Sequence, residues 1–354
     1  MDEPFTETRI PWSRSIMKKR IYVRTKGSLT YGWGHVKRAL TLVENLAKDS
    51  RIGEFSLGIV GDSAVRRYVG DTSFGSRAHF FGSRLEQEET YLRKYSPDLI
   101  IVDMLELTTK EVSCYASFGS RLVIFNDLGI QYCAGDLIVC PQLLLDYPPL
   151  CKGTTARIGP KFFIVSSEIR ERALRIRKIN EKAKSILVVM GGCSTETTIN
   201  IVTQILEKLK CIGQHIVFVL GHDSEITREQ EIVLERLNVE LIYGTNKIGR
   251  YMEQCDIALA SAGYVKYELA ALGTPAILLS VVDHQKKLGE VFAKYSKCAD
   301  YLGGLSEAIV LPTVAAIDSL IQNKERRIAM SKNGKELVDC KGVDRISRAV
   351  VDLL

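Results

Sequence analysis

Residues 20–38 read RIYVRTKGSLTYGWGHVKR, a β-branched apolar run that passes through a polar turn and opens a helix at Gly32-Trp33-Gly34-His35. The same strand-to-helix unit recurs outward from it. Further strands are expected at Phe55–Val60, Leu99–Val102, Leu122–Asn126 and Leu137–Cys140. A second series follows at Ser185–Val189, His215–Leu220, Glu240–Tyr243, Ile257–Ala260 and Ala276–Leu279. Runs such as Ile186-Leu187-Val188-Val189 are apolar throughout, as strands covered on both faces require. Helical patterns fill the gaps at His35–Asp49, Glu86–Tyr95, Thr197–Lys210, Glu225–Leu237, Tyr264–Leu272 and Gln285–Tyr295. This alternation predicts an α/β protein with two Rossmann-like doubly wound domains facing each other across a cleft.

The alternation breaks between Cys140 and Lys184, where a Tyr147-Pro148-Pro149 loop precedes a charged stretch expected to be a helix over Glu168–Lys184. The boundary is therefore placed near 165. Residues 1–19 are read as a flexible extension, 20–165 as one domain and 166–354 as the other. The 354 residues are 46% hydrophobic and 25% charged, with a formal net charge of +6, which fits a globular chain that binds anions. No run of five basic residues argues for nucleic acid, and no apolar run reaches the ~18–20 residues of a membrane span. At most a peripheral membrane contact is expected. Nine cysteines without a C-x-x-C pair, and a polar N-terminus, point to a reducing cytoplasm with neither disulfides nor a metal site.

Glycines at a strand-to-helix turn let a ligand approach the backbone, and a helix start offers unpaired amides and positive dipole charge. A histidine there is biased toward neutral imidazole, which can take a proton from water or a sugar hydroxyl. His35 is thus the candidate catalytic base. Dinucleotide binding is excluded as the preferred reading because Lys37 stands where G-x-G-x-x-G needs its third glycine. In the second half, Gly191, Gly192 and Ser194 follow one strand, and Ser261, Ala262 and Gly263 follow another. Both turns open helices and suit a diphosphate. No cofactor is expected.

G-x-G-H-x-x-R directly after the first strand is similar to the signature of the PseG/SpsG group, which comprises the UDP-sugar hydrolase of pseudaminic acid synthesis and the spore-coat polysaccharide proteins. The segments Asp98–Asp103, Phe125-Asn126-Asp127, Gly159-Pro160, Met190-Gly191-Gly192 and Ser261 through Glu268 follow in the group's order. More distantly the chain resembles MurG-type glycosyltransferases. The resemblance implies a GT-B fold, a UDP-sugar ligand and a ribose-holding role for Glu268. It places Asp103 with His35 in the catalytic group, and Gly32, Gly34, Arg38, Asp127 and Gln285 on the substrate side. Tyr243 is a candidate for packing on the base.

The chain departs from the group at Met104 and Leu105, where the hydrolases carry an aromatic hydroxyl after the aspartate. The expected function is a metal-independent, PseG-like UDP-sugar hydrolase that cleaves the anomeric C–O bond in synthesis of a cell-surface sugar. The alternatives are a GT-B glycosyltransferase with a glycan or lipid-linked acceptor, and a non-catalytic sugar-nucleotide-binding relative.

Overall fold

The computed structural model describes residues 18–28, 31–82, 85–130, 134–191, 195–209, 213–221 and 224–354. Gly192 and Ser194, both expected on the phosphate turn, lie outside these residues, as does nearly all of the expected extension.

Two parallel sheets organise the chain. The first holds β1 (Lys19–Gly27), β2 (Ile52–Gly61), β3 (Ala78–Phe80), β4 (Leu99–Asp103), β5 (Arg121–Phe125), β6 (Leu137–Cys140) and β7 (Thr155–Ile158), in the order β3-β2-β1-β4-β5-β6-β7. The second holds β8 (Ser185–Val189), β9 (His215–Leu220), β10 (Val239–Tyr243), β11 (Ile257–Ser261), β12 (Ala276–Ser280) and β13 (Ala299–Gly304), in the order β10-β9-β8-β11-β12-β13. Every described pairing within them is parallel. Central strands such as Ile186–Val189 and Leu99–Val102 are buried on both faces, which is why their sequences carry no alternation.

The intervening helices are α1 (Gly34–Leu46), α2 (Ser63–Gly70), α3 (Leu85–Tyr95), α4 (Thr109–Ala116), α5 (Ser167–Ala173), α6 (Glu196–Lys208) and α7 (Arg228–Arg236). They continue with α8 (Ile248–Gln254), α9 (Val265–Leu272), α10 (His284–Ser296), α11 (Val310–Gln322), α12 (Lys324–Leu337) and α13 (Gly342–Val351). Among the described residues no helix is long and apolar enough to cross a membrane.

Each sheet reverses its strand order once, between β1 and β4 in the first and between β8 and β11 in the second. Such switch points leave a crevice at the carboxyl ends of the strands, where ligands of open α/β sheets bind. The register brings Asp103, the last residue of β4, beside Thr25 of β1 and Phe125 of β5. Helix α1, which leaves β1, therefore starts directly over Asp103.

Two segments differ from the sequence reading. The helix expected over Glu168–Lys184 ends at Ala173. Beyond it Leu174 and Ile176 alternate with arginines and are 87% and 98% exposed, so no apolar stripe exists to hold a helix down. Arg177 instead turns inward and donates to the backbone carbonyl of Glu253 (2.7 Å) and to that of Cys255, at the end of α8. Those are carbonyls a helix terminus leaves without internal partners.

The last helix, α13, also crosses back from the second sheet. Val343, Ile346 and Val350 enter the core beneath α1, and the Asn45 amide donates to Ser347 Oγ at 3.0 Å. Gly342 passes over the connection between the sheets so closely that a Cβ there would meet the Phe163 carbonyl oxygen at 2.1 Å.

Candidate active site

One cavity of about 460 Å³ lies between the two sheets and receives residues from both. On its first-half wall α1 presents His35 and Arg38, which three-residue helical spacing places on one face. His35 Nδ1 is 2.7 Å from Asp103 Oδ1. A carboxylate only accepts, so the imidazole carries a proton on Nδ1, and Nε2 is the nitrogen that no carboxylate engages. Arg38 bridges the two carboxylates that end β4 and follow β5. Its Nε donates to Asp103 Oδ2 at 2.7 Å, and its terminal nitrogens donate to Asp127 at 2.7 and 3.0 Å and to Asp103 Oδ1.

All four of these side chains are nearly inaccessible. Burial pushes the Asp127 carboxyl up, but the Arg38 charge and hydrogen bonds outweigh it and hold that group below the usual carboxylate range. Burial likewise opposes the Arg38 charge, and the two aspartates overcome it.

Asp103 was expected among the catalytic groups. It is 1% exposed and does not line the cavity, and it stands behind the imidazole, in hydrogen-bond contact with Nδ1. Among the described residues, His35, Asp103 and Asp127 form the one group whose ligand atoms lie close enough (within 4.8 Å) to hold a metal ion. The Arg38 guanidinium already takes up both carboxylates, so this donor set does not fit a divalent cation.

The second-half wall is built from strand ends and helix starts. Ser261 closes β11, and a Cβ placed on either Gly191 or Gly263 would lie 3.5 Å from its hydroxyl, so the β8 and β11 turns adjoin. Ala262, Gly263 and Glu268 of the following turn and α9 line the same cavity, with Glu268 half-buried. Burial raises the Glu268 carboxyl, against the pull of Lys37 from the opposite wall. Gln285 accepts from the Val281 amide at 3.1 Å and keeps its side-chain nitrogen beside Gly263.

The helices differ in how their starts are capped. Helices α2, α4, α5, α6, α7 and α12 have side-chain caps from Asp62, Thr108, Ser166, Thr195, Thr227 and Asn323. Helices α1, α9 and α10, all of which begin at the cavity, have none, and neither do α8, α11 and α13. Three starts without a side-chain cap give one space a concentration of amide donors and positive dipole charge, which suits an anion.

Sequence reasoning missed three residues of the site. Tyr264, read only as a helix start, carries its ring across to the first half and donates its hydroxyl to Asp127. Gln142, after β6, is 3% exposed, lines the cavity and has a side-chain oxygen without a hydrogen-bond partner. Lys266 is 2% exposed and donates to the Ala262 carbonyl at 2.8 Å, and burial pushes its ammonium down to about 7. None had a local signal beyond being polar in an apolar context. Gly32 and Gly34 do lie at the cavity, and Gly32 has φ +78°. Tyr243 is 45% exposed and lies outside the cavity, where Gly244, Thr245 and Asn246 stand instead.

No family model matches the chain. It is 27% identical over 285 residues to the spore coat polysaccharide biosynthesis protein SpsG of Bacillus subtilis (strain 168), covering 76% of this chain and 81% of that protein. The likeness to the PseG/SpsG group read from the motifs is thus found along most of the chain. Among solved structures it superposes on Phytolacca americana UGT2, complexed with UDP-2fluoro-glucose and pterostilbene, with a TM-score of 0.66 at 11% identity, covering 95% of this chain and 99% of that one. Acinetobacter baumannii MurG gives 0.64 at 10% identity, covering 94% and 99%. The fold is GT-B, with two Rossmann-like domains.

Proposed function

We propose that the protein is a UDP-sugar enzyme of cell-surface polysaccharide synthesis that breaks the anomeric C–O bond of its donor with His35 as general base. One observation carries this reading. A buried imidazole whose Nδ1 is held by a carboxylate shares a cavity with three helix starts that have no side-chain cap. The similarity to SpsG and to GT-B enzymes, one of them complexed with a UDP-sugar analogue, supports the donor class.

In the proposed step Nε2 takes the proton of the nucleophile's O–H, and its oxygen attacks the anomeric carbon. The C–O bond to the diphosphate breaks, and the electron pair leaves with UDP. The turn at Ser261–Gly263 and the α9 amides stabilise that developing charge with fixed dipoles. Glu268 holds the ribose hydroxyls. Gly191 backs the diphosphate, and Gln285 faces the sugar.

Water as nucleophile makes the enzyme a hydrolase of PseG type. A specific feature favours a second reading, transfer to an acceptor. The cavity extends past His35 along the first half, between Thr41, Glu44 and the paired rings of Trp33 and Tyr68, whose centroids are 5.2 Å apart. That arm has the aromatic surface on which an acceptor sugar stacks.

Incubation with a panel of UDP-sugars, with and without glycan or lipid-linked acceptor, separates the two. UDP and free sugar without acceptor mean hydrolysis, turnover only with acceptor means transfer, and no UDP release in either arm refutes the enzyme reading. Glu268→Ala is expected to weaken UDP binding roughly 10- to 100-fold, the worth of a charged hydrogen-bond pair. Isothermal titration checks it, and unchanged affinity would remove Glu268 from the nucleotide site.

A further inference from the structure

We propose that Tyr264 couples the phosphate-binding turn to the base, standing against His35 Nε2 as the acceptor that receives the imidazolium N–H once the nucleophile's proton has been taken. The inference rests on the reading of His35 as base and of residues 261–263 as the diphosphate turn. Tyr264 is the next residue after Gly263, so any displacement of that turn moves it.

Its ring leaves the second half and seats on the first. It packs edge-on against His35 with centroids 5.3 Å apart, beneath the Arg38 guanidinium at 4.9 Å. The space is cleared by Gly34, where a Cβ would meet Tyr264 Cδ2 at 2.1 Å. Phe163, on the connection between the sheets, holds the ring's other side at 5.8 Å.

The proton inventory gives the role. Asp103 accepts from His35 Nδ1–H, and Asp127 accepts the Tyr264 hydroxyl proton. When the imidazole is neutral, Nε2 and the phenol oxygen face each other at 3.4 Å with lone pairs only. Two acceptors do not bond. The pair is completed by a donor, either the nucleophile's O–H lying between them or the proton that Nε2 has just removed. In the second case Nε2–H donates to the phenol oxygen, while the phenol keeps its own proton on Asp127. Burial holds the Tyr264 hydroxyl far above its usual range, so it stays a neutral donor to Asp127 throughout. No other charge or electron moves.

Tyr264→Phe keeps the ring and removes the oxygen. The expected result is a kcat lowered roughly 10- to 100-fold, the worth of one hydrogen bond to a charged group, with UDP affinity and KM within about twofold. A second readout needs no turnover. UDP added to wild type is expected to shift the His35 Cε1 resonance, identified through its loss in His35→Ala, and to leave it unmoved in Tyr264→Phe. Gly34→Ala, which displaces the ring but keeps the hydroxyl, is expected to lower kcat as Tyr264→Phe does. An undiminished kcat in Tyr264→Phe, or a UDP-induced His35 shift of wild-type size in that variant, overturns the proposal while leaving the base intact. Full activity in His35→Ala instead overturns the reading on which it rests.

Discussion

Replacing Arg38 by methionine is expected to destabilise the protein by about 3–5 kcal/mol, the usual consequence of removing one partner from a buried ion pair. The methionine fills similar volume, so the loss is electrostatic. Asp103 and Asp127 are each 1% exposed, and Arg38 supplies hydrogen bonds to both. Without it two carboxylates face each other in a dry site, with His35, the Tyr264 hydroxyl and the nearby Lys266 ammonium left to offset them.

The sign with pH follows. In wild type the Asp127 carboxyl lies below its ordinary value, so its contribution is present at neutral pH and is lost only as pH falls through that lowered value. In the variant Asp127 keeps its burial but loses the guanidinium, so its carboxyl rises and takes up a proton first, which relieves the repulsion. The gap between variant and wild type therefore narrows as the solution is acidified. Urea unfolding at neutral and mildly acidic pH checks it. An equal gap at both, or a loss under about 1 kcal/mol, would mean that Arg38 does not hold the pair.

His35→Ala is expected to lower turnover by roughly 10²–10⁴-fold, the range removed with a positioned general base. UDP affinity should stay within about twofold, because the turn at Ser261–Gly263 does not depend on the imidazole. What remains comes from the amide dipoles at the starts of α9 and α10, which act on the leaving diphosphate. Steady-state kinetics with UDP release as readout decide it. A fall in affinity matching the fall in turnover would make His35 a binding residue.

Much of this site is legible in the sequence, and the unread parts share a cause. Ser185–Val189 and His215–Leu220 were bounded to the residue because strands covered on both faces leave unbroken apolar runs. Three of the four edge strands, β3, β7 and β13, are short or half-exposed and carry no such run. His35 is placed by its strand-to-helix turn, and Arg38, Asp103 and Asp127 by the resemblance to the PseG/SpsG group. Tyr264 is placed by neither. Its contact with His35 spans 229 residues and depends on how the two halves meet. The only trace in the sequence is a glycine at one helix start and a tyrosine at another where a capping residue is usual. The docking of α13 was hidden for the same reason. Val343, Ile346 and Val350 have helical spacing, but nothing local says that their partner is α1.

In the proposed complex a UDP-sugar lies between the turn of the second half and the imidazole of the first. This placement is tested most directly by a crystal structure of His35→Ala with an uncleaved UDP-hexose. The diphosphate is expected on the amides of Ser261–Val265, the ribose at Glu268 and the anomeric carbon facing the space vacated at residue 35. A nucleotide bound outside this cavity, or a sugar directed away from residue 35, would contradict this placement.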